Sequence, residues 1–316
     1  MTQSPPHELL LSHPMLAPME PVLASAGYRA HRLWEHKDRL AFLAGEGQLI
    51  RAIVHAGEFK LDHDFLAEMP RLGLIACVSV GYDGVDVPWC RARGIAVTNS
   101  AGLNADDVAD HAVGLLIAAW RGLVEGDNRV RAGQWTLNDR MRPRHSLRGK
   151  TAGIVGLGHI GEAVARRLEA FSMPIAWWGP NPKESRWRRA DSLLALARES
   201  DALMVCTRGD AKGLITAQVI EAVGPRGCIV NISRGGVIDE DALIAALKDG
   251  RLGMAGLDVF AEEPTPPSRW TGVPHTVLTP HTAGGTVESI PQMVGMTLEN
   301  LRRFFHGEPL ATPVAA

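Results

Sequence analysis

Three segments of the chain carry polar residues of catalytic type where an apolar strand is predicted to end. Arg234 closely follows the strand predicted at 228–232. Asp258 ends a second strand, with Glu263 in the loop behind it, and His281 ends a third. A guanidinium can hold a carboxylate through two parallel hydrogen bonds. A histidine titrates near neutrality and can transfer a proton, and a carboxylate behind it selects its tautomer and favours the imidazolium.

Each of these residues also has a simpler interpretation. Arg234 could be a surface arginine that pairs with Asp239. A lone histidine such as His281 is more often a satisfied core or surface group than a catalyst. However, ligands of open α/β sheets bind at the carboxyl ends of the strands. The occurrence of three such segments in one chain therefore favours the catalytic interpretation.

A glycine-rich turn lies between a strand that begins near Thr151 and a helix predicted over 162–171. The first glycine allows a tight turn, the second lets the backbone approach a pyrophosphate, and the third lets helix and strand pack closely. The helix N-terminus then offers free N–H groups to the phosphates. An ordinary glycine-rich turn between strand and helix is the alternative. The predicted dinucleotide contacts in this turn are Gly156, Leu157, Gly158, His159, Ile160 and Gly161.

The elements that position these residues alternate between strand and helix. Strands are predicted at 49–54, 72–80 and 95–98 before the turn, and about six strands follow from Gly153 onward. This alternation predicts parallel sheets with crossover helices. Because about half of the chain precedes the turn, a complete domain fits in front of it. We therefore expect an α/β protein with two Rossmann-like, doubly wound parallel-sheet domains.

Composition and charge argue against several kinds of partner. The formal net charge is −2 with no long basic run, which favours neither nucleic acid nor an anionic membrane surface. The longest apolar run, near 113–120, is too short to span a bilayer, and the first ten residues do not resemble a secretory signal. Four widely spaced cysteines predict reduced thiols in a cytoplasmic protein without a metal site: Cys77, Cys90, Cys206 and Cys228.

Seven segments, in this order and spacing, resemble the D-isomer-specific 2-hydroxyacid dehydrogenase family. They are VSVGYDGVD, ARGIAVTNS, DDVADHAVGLL, VGLGHIG, NISRGGVIDEDALIAALKDGRL, GLDVFAEEP and TPHTAG. The resemblance covers about 49–304. It implies an enzyme that passes a hydride from a nicotinamide cofactor to the C2 carbonyl of a small 2-oxo acid of the glyoxylate or hydroxypyruvate type. The product would be the D-2-hydroxy acid.

The resemblance also implies a domain plan. A dinucleotide-binding domain at 102–285 would be inserted into a substrate domain formed by 1–101 and 286–316, with a closing hinge. Relatives are usually homodimers that pair through long helices of the nucleotide domain, and the predicted helix at 110–120 would suit that role. Ala101 and Ala105 depart from the family pattern near the hinge.

Particular roles follow from the resemblance. The catalytic set falls on Arg234, Glu263 and His281. Asp258 would contact the nicotinamide carboxamide. Backbone N–H groups of Val80 and Gly81 would bind the substrate together with Arg234 and His281. The pocket wall is expected from the loops 55–60 and 79–83 and from Trp270 or its neighbours.

The end of the strand predicted at 174–178 bears on the choice of coenzyme. Folds that bind NAD place an acid there for the ribose hydroxyls, whereas this chain has Gly179. Three arginines follow and could attract a 2′-phosphate, namely Arg186, Arg188 and Arg189. This favours NADP(H), with NAD(H) as the alternative. NADP-using relatives usually have an arginine where this chain has Pro180, and Asn181 would take part of that role.

Two points about this site stay open. The three arginines could instead coat a helix predicted to start at 186–191 and face solvent. In the loop after the fourth nucleotide-domain strand, Thr207 is predicted to contact the cofactor, and Arg208 either contacts it or points outwards.

Two other functions share some of these features. In relatives that oxidise formate, glutamine pairs with the histidine, so Glu263 argues against that reaction. A non-enzymatic, dinucleotide-sensing protein of the corepressor type retains the catalytic residues. Corepressors carry long partner-binding tails, which are not expected here, and fold alone does not decide function.

Overall fold

The computed structural model describes residues 6–138 and 141–315. The chain divides into two compact units, one formed by Met1–Asn104 with Val287–Ala316 and one by Ala105–Thr286. The second unit is a continuous segment inserted into the sequence of the first. The assignment of 102–285 to the dinucleotide, and of 1–101 with 286–316 to the substrate, stays a prediction.

The first unit contains a parallel five-stranded sheet in the order β2-β1-β3-β4-β5. Every residue of β3 and β4 is buried, as expected for a parallel sheet covered on both faces. Its strands are β1 His7–Leu11, β2 Tyr28–Arg32, β3 Ala52–His55, β4 Leu74–Cys77 and β5 Ala96–Thr98. Its helices are α1 Glu20–Ser25, α2 Arg39–Ala44, α3 His63–Ala67, α4 Val87–Ala92 and α12 Ser289–His306.

The second unit contains a parallel seven-stranded sheet in the order β12-β11-β10-β9-β6-β7-β8. Its strands are β6 Ala152–Val155, β7 Ile175–Trp178, β8 Arg188–Arg189, β9 Ala202–Val205, β10 Cys228–Asn231, β11 Met254–Leu257 and β12 Thr276–Leu278. Its helices are α5 Ala105–Arg121, α6 Leu123–Arg131, α7 His159–Ala170, α8 Leu193–Glu199, α9 Ala217–Val223, α10 Glu240–Lys248 and α11 Pro267–Trp270. The two parallel α/β sheets confirm the predicted fold class.

The short edge strand β8 rules out the alternative in which the three arginines coat a helix start at 186–191. Arg188 and Arg189 form β8, which pairs in parallel with β7. The backbone N–H of Ala190 donates to the carbonyl of Trp177 at 2.8 Å, which continues the ladder. Strand pairing across the sheet therefore decides the conformation of a segment whose local sequence predicted a helix.

Helix α5 contributes to the core of the second unit and keeps exposed positions such as Asp110 and Gly114, and the expected pairing of two copies through 110–120 stays a prediction. Nine of its residues are buried, Leu116 and Trp120 among them. Helix α6 buries none of its residues, and Leu123 and Val130 on it are exposed. The loop that follows also exposes Trp135 and Leu137. The exposed apolar side chains of this region thus lie on α6 and beyond it.

None of the helices in the described part of the chain combines the length and the apolar character needed to cross a membrane.

Candidate active site

The loops after β6 and β9 meet where the strand order of the seven-stranded sheet reverses. Gly156 follows β6 with φ +90°, in the left-handed region that favours glycine. A Cβ at this position would lie 2.8 Å from the Cα of Thr207 in the loop after β9. Such a reversal is where open α/β sheets bind their ligands. The predicted contacts Gly156 and Thr207 therefore lie side by side at this point.

The remaining glycines of the turn differ in their surroundings. A Cβ on Gly161 would lie 2.1 Å from the carbonyl oxygen of Gly156, so helix and strand approach too closely for any side chain. A Cβ on Gly158 would meet nothing within 4 Å. Helix α7 starts at His159, three residues earlier than predicted, and no side chain caps its N-terminus. The open space and the uncapped N–H groups fit a pyrophosphate.

A lysine that the sequence did not single out lies beside this turn. Lys183 Nζ donates to the carbonyl of Leu157 at 2.8 Å and pairs with Glu162 in the first turn of α7. It follows β7 by five positions, where only the arginines suggested a cationic role. Lys183 thus connects the loop after β7 to the glycine-rich turn.

The three arginines near the end of β7 have different partners. Arg189 donates to the carbonyl of Gly179 at 2.8 Å, and its guanidinium lies 5.7 Å from the centre of the Trp177 ring. Arg186 pairs with Glu169 and Arg188 pairs with Glu199. Arg189 is therefore the arginine beside the predicted 2′-phosphate position. Asn181 is exposed in the same loop, and Arg208 forms an ion pair with Asp210.

Hydrogen bonds of the Asn231 side chain form a turn at the end of β10, and this turn positions Arg234. Asn231 Oδ1 accepts hydrogen bonds from the Ser233 N–H at 3.0 Å and the Ser233 hydroxyl at 2.7 Å. Asn231 Nδ2 donates to the carbonyl of Arg234 at 3.0 Å. Asp239, the partner in the simpler interpretation of Arg234, instead caps α10 by accepting the Ala242 N–H at 3.0 Å. The turn therefore holds the Arg234 backbone at the carboxyl end of the sheet.

Gly235 joins the Arg234 turn to the loop that carries Glu263. A Cβ on Gly235 would lie 1.8 Å from the backbone carbon of Phe260, so only glycine permits this approach. Phe260 N–H donates to Glu263 Oε1 at 2.9 Å, and Glu263 Oε2 lies 2.6 Å from His281 Nδ1. The structure thus brings the loops after β10, β11 and β12 together, and with them the three predicted catalytic residues.

The carboxylate of Glu263 is held in its ionised form. Burial by itself would raise its pKa, but the hydrogen bonds from His281 and Phe260 outweigh that effect, and the pKa is lowered. The positive charge of Arg234 acts in the same direction. An anionic Glu263 favours a His281 that carries a proton on Nδ1.

His281 lies in a turn with an unusual backbone. Its φ is +52°, in the left-handed region that residues other than glycine seldom adopt. Its N–H donates to the carbonyl of Asp258 at 2.8 Å and to that of Thr279 at 3.1 Å. The side chain is 32% exposed and so keeps access to solvent.

The carboxylate of Asp258 stabilises the turn around His281 through hydrogen bonds. The residue is 1% exposed, and its carboxylate accepts hydrogen bonds from the Thr279 hydroxyl at 2.6 Å and from the N–H groups of Thr282 and Ala283, each at 2.9 Å. Burial would raise the pKa of Asp258, but these hydrogen bonds and one from His111 together lower it. The predicted contact of Asp258 with the nicotinamide carboxamide stays a prediction.

In the first unit, the loop after β4 carries Val80 and Gly81. Ser79 Oγ donates to the carbonyls of Ala56 at 2.6 Å and Gly81 at 2.7 Å, which connects this loop to the one at 55–60. Asn99 Nδ2 donates to the Val80 carbonyl at 2.7 Å. Within the described residues, the N–H groups of Val80 and Gly81 form no hydrogen bond. They are therefore available to an anion.

Two further side chains from the segments expected to form the pocket wall, Trp270 and His55, are buried. Trp270 is 7% exposed, packs edge-on against Phe260 and donates from Nε1 to Thr265 Oγ1 at 3.1 Å. It belongs to the core of the second unit, so the part of the pocket wall expected from Trp270 or its neighbours stays a prediction for the neighbours alone. His55 is fully buried between Ser12 and the Phe59 carbonyl, and burial lowers its pKa to about 4. It is therefore neutral near pH 7.

The described residues contain no group of three or more His, Cys, Asp or Glu side chains arranged to hold a metal ion. The cysteines are unpaired, and burial raises the pKa of the Cys77 thiol to about 12.

Comparisons with known proteins point to one family. The family model of the D-isomer specific 2-hydroxyacid dehydrogenase, NAD binding domain, matches residues 113–283. A hydroxyphenylpyruvate reductase of Plectranthus scutellarioides is 39% identical over 306 residues, which cover 95% of this chain and 97% of the relative.

Two solved structures resemble the whole chain. A 2-hydroxyacid dehydrogenase from Ketogulonicigenium vulgare Y25 is 40% identical, with a TM-score of 0.91 and 99% of each chain covered. An NADPH-dependent glyoxylate/hydroxypyruvate reductase from Sinorhizobium meliloti, solved in complex with NADP and malonate, is 34% identical, with a TM-score of 0.89. It covers 99% of this chain and 97% of its own. These matches give no support to the dinucleotide-sensing corepressor.

Proposed function

The chain belongs to the D-isomer-specific 2-hydroxyacid dehydrogenase family, and we propose that it reduces the C2 carbonyl of a small 2-oxo acid to the D-2-hydroxy acid. The observation that carries the proposal is the pairing of Glu263 with His281 Nδ1 at 2.6 Å, next to the Arg234 turn. The names of the relatives suggest substrates of the glyoxylate, hydroxypyruvate or hydroxyphenylpyruvate type.

His281 is the proposed proton donor. Because Nδ1 donates to Glu263, the proton available to a substrate is the one on Nε2. As the C2 carbonyl becomes an alkoxide, His281 Nε2 transfers this proton to the oxygen and stabilises the developing charge. The imidazole left behind keeps its Nδ1 proton towards Glu263 and regains the Nε2 proton from solvent.

Arg234 is the proposed anchor for the substrate carboxylate. A guanidinium forms two parallel hydrogen bonds with a carboxylate, which orients the C2 carbonyl as well as binding the acid. The N–H groups of Val80 and Gly81 are proposed as additional donors to the same carboxylate.

The glycine-rich turn is the proposed site of the nicotinamide dinucleotide, which supplies the hydride when bound. Gly158 and the N-terminus of α7 fit its pyrophosphate. We propose NADP(H) as the preferred form, because Gly179 places no carboxylate where it would repel a 2′-phosphate and Arg189 lies beside it. The NADPH dependence of the Sinorhizobium meliloti relative supports this proposal.

We also propose a homodimer in the cytoplasm. The four cysteines are unpaired and three of them are buried, which agrees with a reducing compartment. Exposed Leu123 and Val130 on α6, with Trp135 and Leu137 after it, extend the proposed interface beyond the exposed side of α5. Sedimentation equilibrium of the wild type and of Val130→Glu would test this, and a monomeric wild type would refute it.

Initial-rate measurements test the proposed reaction. The purified protein is incubated with NADPH or NADH and a panel that includes glyoxylate, hydroxypyruvate and hydroxyphenylpyruvate, and the product is resolved on a chiral column. The proposal expects turnover with at least one of them, a D-configured product wherever C2 becomes chiral, and a higher kcat/KM with NADPH. A protein that binds NADPH but reduces none of these acids would refute it, and equal or better use of NADH would refute the coenzyme preference.

A further inference from the structure

A chain of hydrogen-bonded polar side chains lies beneath the turn that carries His281. His111 on α5 reaches Thr279 at the end of β12, with Nε2 2.8 Å from Thr279 Oγ1. The Thr279 hydroxyl donates to Asp258 Oδ1 at 2.6 Å, and His111 Nε2 lies 3.4 Å from the same oxygen. The side chains of Asp258 and His111 are 2% and 26% exposed. Polar groups so well covered form hydrogen bonds with defined partners.

The number of available hydrogens decides which group donates. The Thr279 hydroxyl has one hydrogen, and Asp258 receives it because the carboxylate can only accept. The oxygen of Thr279 must then accept from His111, so Nε2 of His111 carries a proton. The chain therefore runs in one direction, from the His111 N–H through the Thr279 hydroxyl to the Asp258 carboxylate.

The same carboxylate determines the backbone around His281. Oδ1 accepts the Thr282 N–H, Oδ2 accepts the Ala283 N–H, and the Asp258 carbonyl accepts the N–H of His281 itself. These contacts lie immediately at and after the residue with φ +52°. A non-glycine residue keeps such a conformation only where the surrounding contacts impose it. The orientation of Asp258 is thus coupled to the conformation of the His281 turn.

We propose that His111 and Thr279 are positioning residues that act through Asp258 on the orientation of His281. The inference rests on the proposed role of His281 as the proton donor. Without the Thr279 hydroxyl, Asp258 loses its shortest hydrogen bond, and only the longer approach of His111 Nε2 at 3.4 Å still connects it to α5. The turn then samples other conformations, and Nε2 of His281 is less often aimed at the substrate oxygen. Turnover falls, whereas the Arg234 turn and the glycine-rich turn are untouched.

Thr279→Val is the most direct test, since it removes the hydroxyl and keeps the shape of the side chain. Thr279→Ser restores a hydroxyl at the same position. Thr276→Val is the matched control, because Thr276 lies on β12 three positions before Thr279, is similarly half-buried, and its hydroxyl donates to the Val273 carbonyl at 3.2 Å. For each variant, kcat, both KM values, the dissociation constant for NADPH and the melting temperature are measured.

The expected result for Thr279→Val is a kcat about tenfold below wild type, as for the loss of roughly one hydrogen bond. Both KM values and the NADPH dissociation constant stay within about twofold, a range we set from the same conversion of energy to affinity. Thr279→Ser recovers most of kcat, and Thr276→Val matches wild type. A crystal structure of Thr279→Val is expected to show a changed backbone at His281, independently of any activity.

A second pair of variants keeps the test decisive if Thr279→Val does not fold. His111→Leu removes the donor, and His111→Gln supplies an amide N–H at a similar reach. His111→Leu is expected to lower kcat as Thr279→Val does, and His111→Gln to retain more of it. Combined with Thr279→Val, His111→Leu adds little, because both changes act through one carboxylate.

Several outcomes would overturn the inference. One such outcome is a kcat within about twofold of wild type in Thr279→Val and His111→Leu, with only the melting temperature lowered. The hydrogen bonds from His111 through Thr279 to Asp258 would then stabilise the fold without positioning His281. A parallel rise in both KM values, or an equal loss in Thr276→Val, would have the same consequence. A wild type that reduces no 2-oxo acid refutes the proposed function instead, so the two failures are distinguishable.

Discussion

The carboxyl edge of the seven-stranded sheet has two regions that are built in different ways. After β6, β7 and β9, the chain supplies backbone groups and space. Gly158 leaves room, Gly161 permits close packing, and α7 presents uncapped N–H groups. After β10, β11 and β12, the chain supplies charged side chains held by hydrogen bonds. Arg234, Glu263 and His281 stand on turns braced by Asn231, Phe260 and Asp258.

The difference reflects what each region has to do. A pyrophosphate is large and spreads its charge, so a helix N-terminus and absent side chains suffice to bind it. Proton transfer needs one nitrogen atom at one defined position, so several contacts fix the residue that carries it. The cost of that precision is visible at His281, whose φ of +52° persists only because Asp258 holds both the residue and the two that follow.

The largest expected effect comes from removing the proton donor itself. His281→Gln should lower kcat by about 10²–10⁴-fold, the usual contribution of a positioned acid. Because the glycine-rich turn is remote from this change along the sheet edge, the dissociation constant for NADPH should be unchanged. Stopped-flow turnover and a fluorescence titration measure the two quantities. Turnover close to wild type would remove His281 from its role.

Arg234→Ala tests the loops after β10, β11 and β12 through substrate binding, whereas His281→Gln tests them through the rate of turnover. Hydrogen bonds to charged groups contribute about 1.5–3 kcal/mol each, so KM for the 2-oxo acid should rise by roughly 10–100-fold. Arg234→Lys should recover part of the loss, since lysine keeps the charge and loses the fork. An unaltered KM in Arg234→Ala would show that the carboxylate binds elsewhere.

Two variants of the glycine-rich turn distinguish a glycine needed for close packing from a glycine that leaves space for the dinucleotide. Gly161→Ala should lower the free energy of unfolding by about 1–3 kcal/mol, as for overpacking, because its Cβ would lie 2.1 Å from the Gly156 carbonyl oxygen. Gly158→Ala should leave that free energy almost unchanged and weaken NADPH binding, since its Cβ enters open space. Denaturant titrations and fluorescence binding compare them. Equal NADPH affinity in Gly158→Ala and wild type would place the pyrophosphate away from Gly158.

The coenzyme preference offers a smaller test. Arg189→Ala should reduce the ratio of kcat/KM for NADPH to that for NADH by about tenfold, the effect of one lost charged hydrogen bond. Arg188→Ala is the matched control, because Arg188 pairs with Glu199 away from the Gly179 carbonyl. If both variants shift the ratio equally, general surface charge rather than Arg189 decides the preference.

The smallest effect concerns stability against pH. The pKa of Glu263 is lowered in the folded protein from its ordinary 4.5, so its contribution to stability is present above pH 4.5 and is lost as pH falls through the folded-state pKa. Wild type should therefore be more stable than Glu263→Gln at neutral pH, and the difference should shrink below pH 4.5. Thermal melts across this range would show it, and a gap that widens in acid would contradict the linkage.

The glycine-rich turn with its flanking strand and helix could be predicted from the sequence more completely than the elements around it. The strand, turn and helix around Gly156 came from local pattern, although α7 starts at His159 because a glycine in its first turn masks the helical signal. Strand β8 was missed because two exposed arginines carry no strand pattern and only pairing with β7 makes them extended. The burial of Trp270 was not foreseen, because an aromatic residue gives no sign in the sequence of which partner will cover it.

The sequence by itself determined the order of the elements, the parallel α/β class and the residue types at the strand ends. These follow from local periodicity and from the special backbone freedom of glycine. The tertiary structure decided which side of α5 is buried, that Arg189 rather than Arg186 or Arg188 lies beside Gly179, and that His111 reaches Thr279 and Asp258. These contacts join residues up to 168 positions apart, and only the packing of sheet and helix brings such groups within hydrogen-bonding distance.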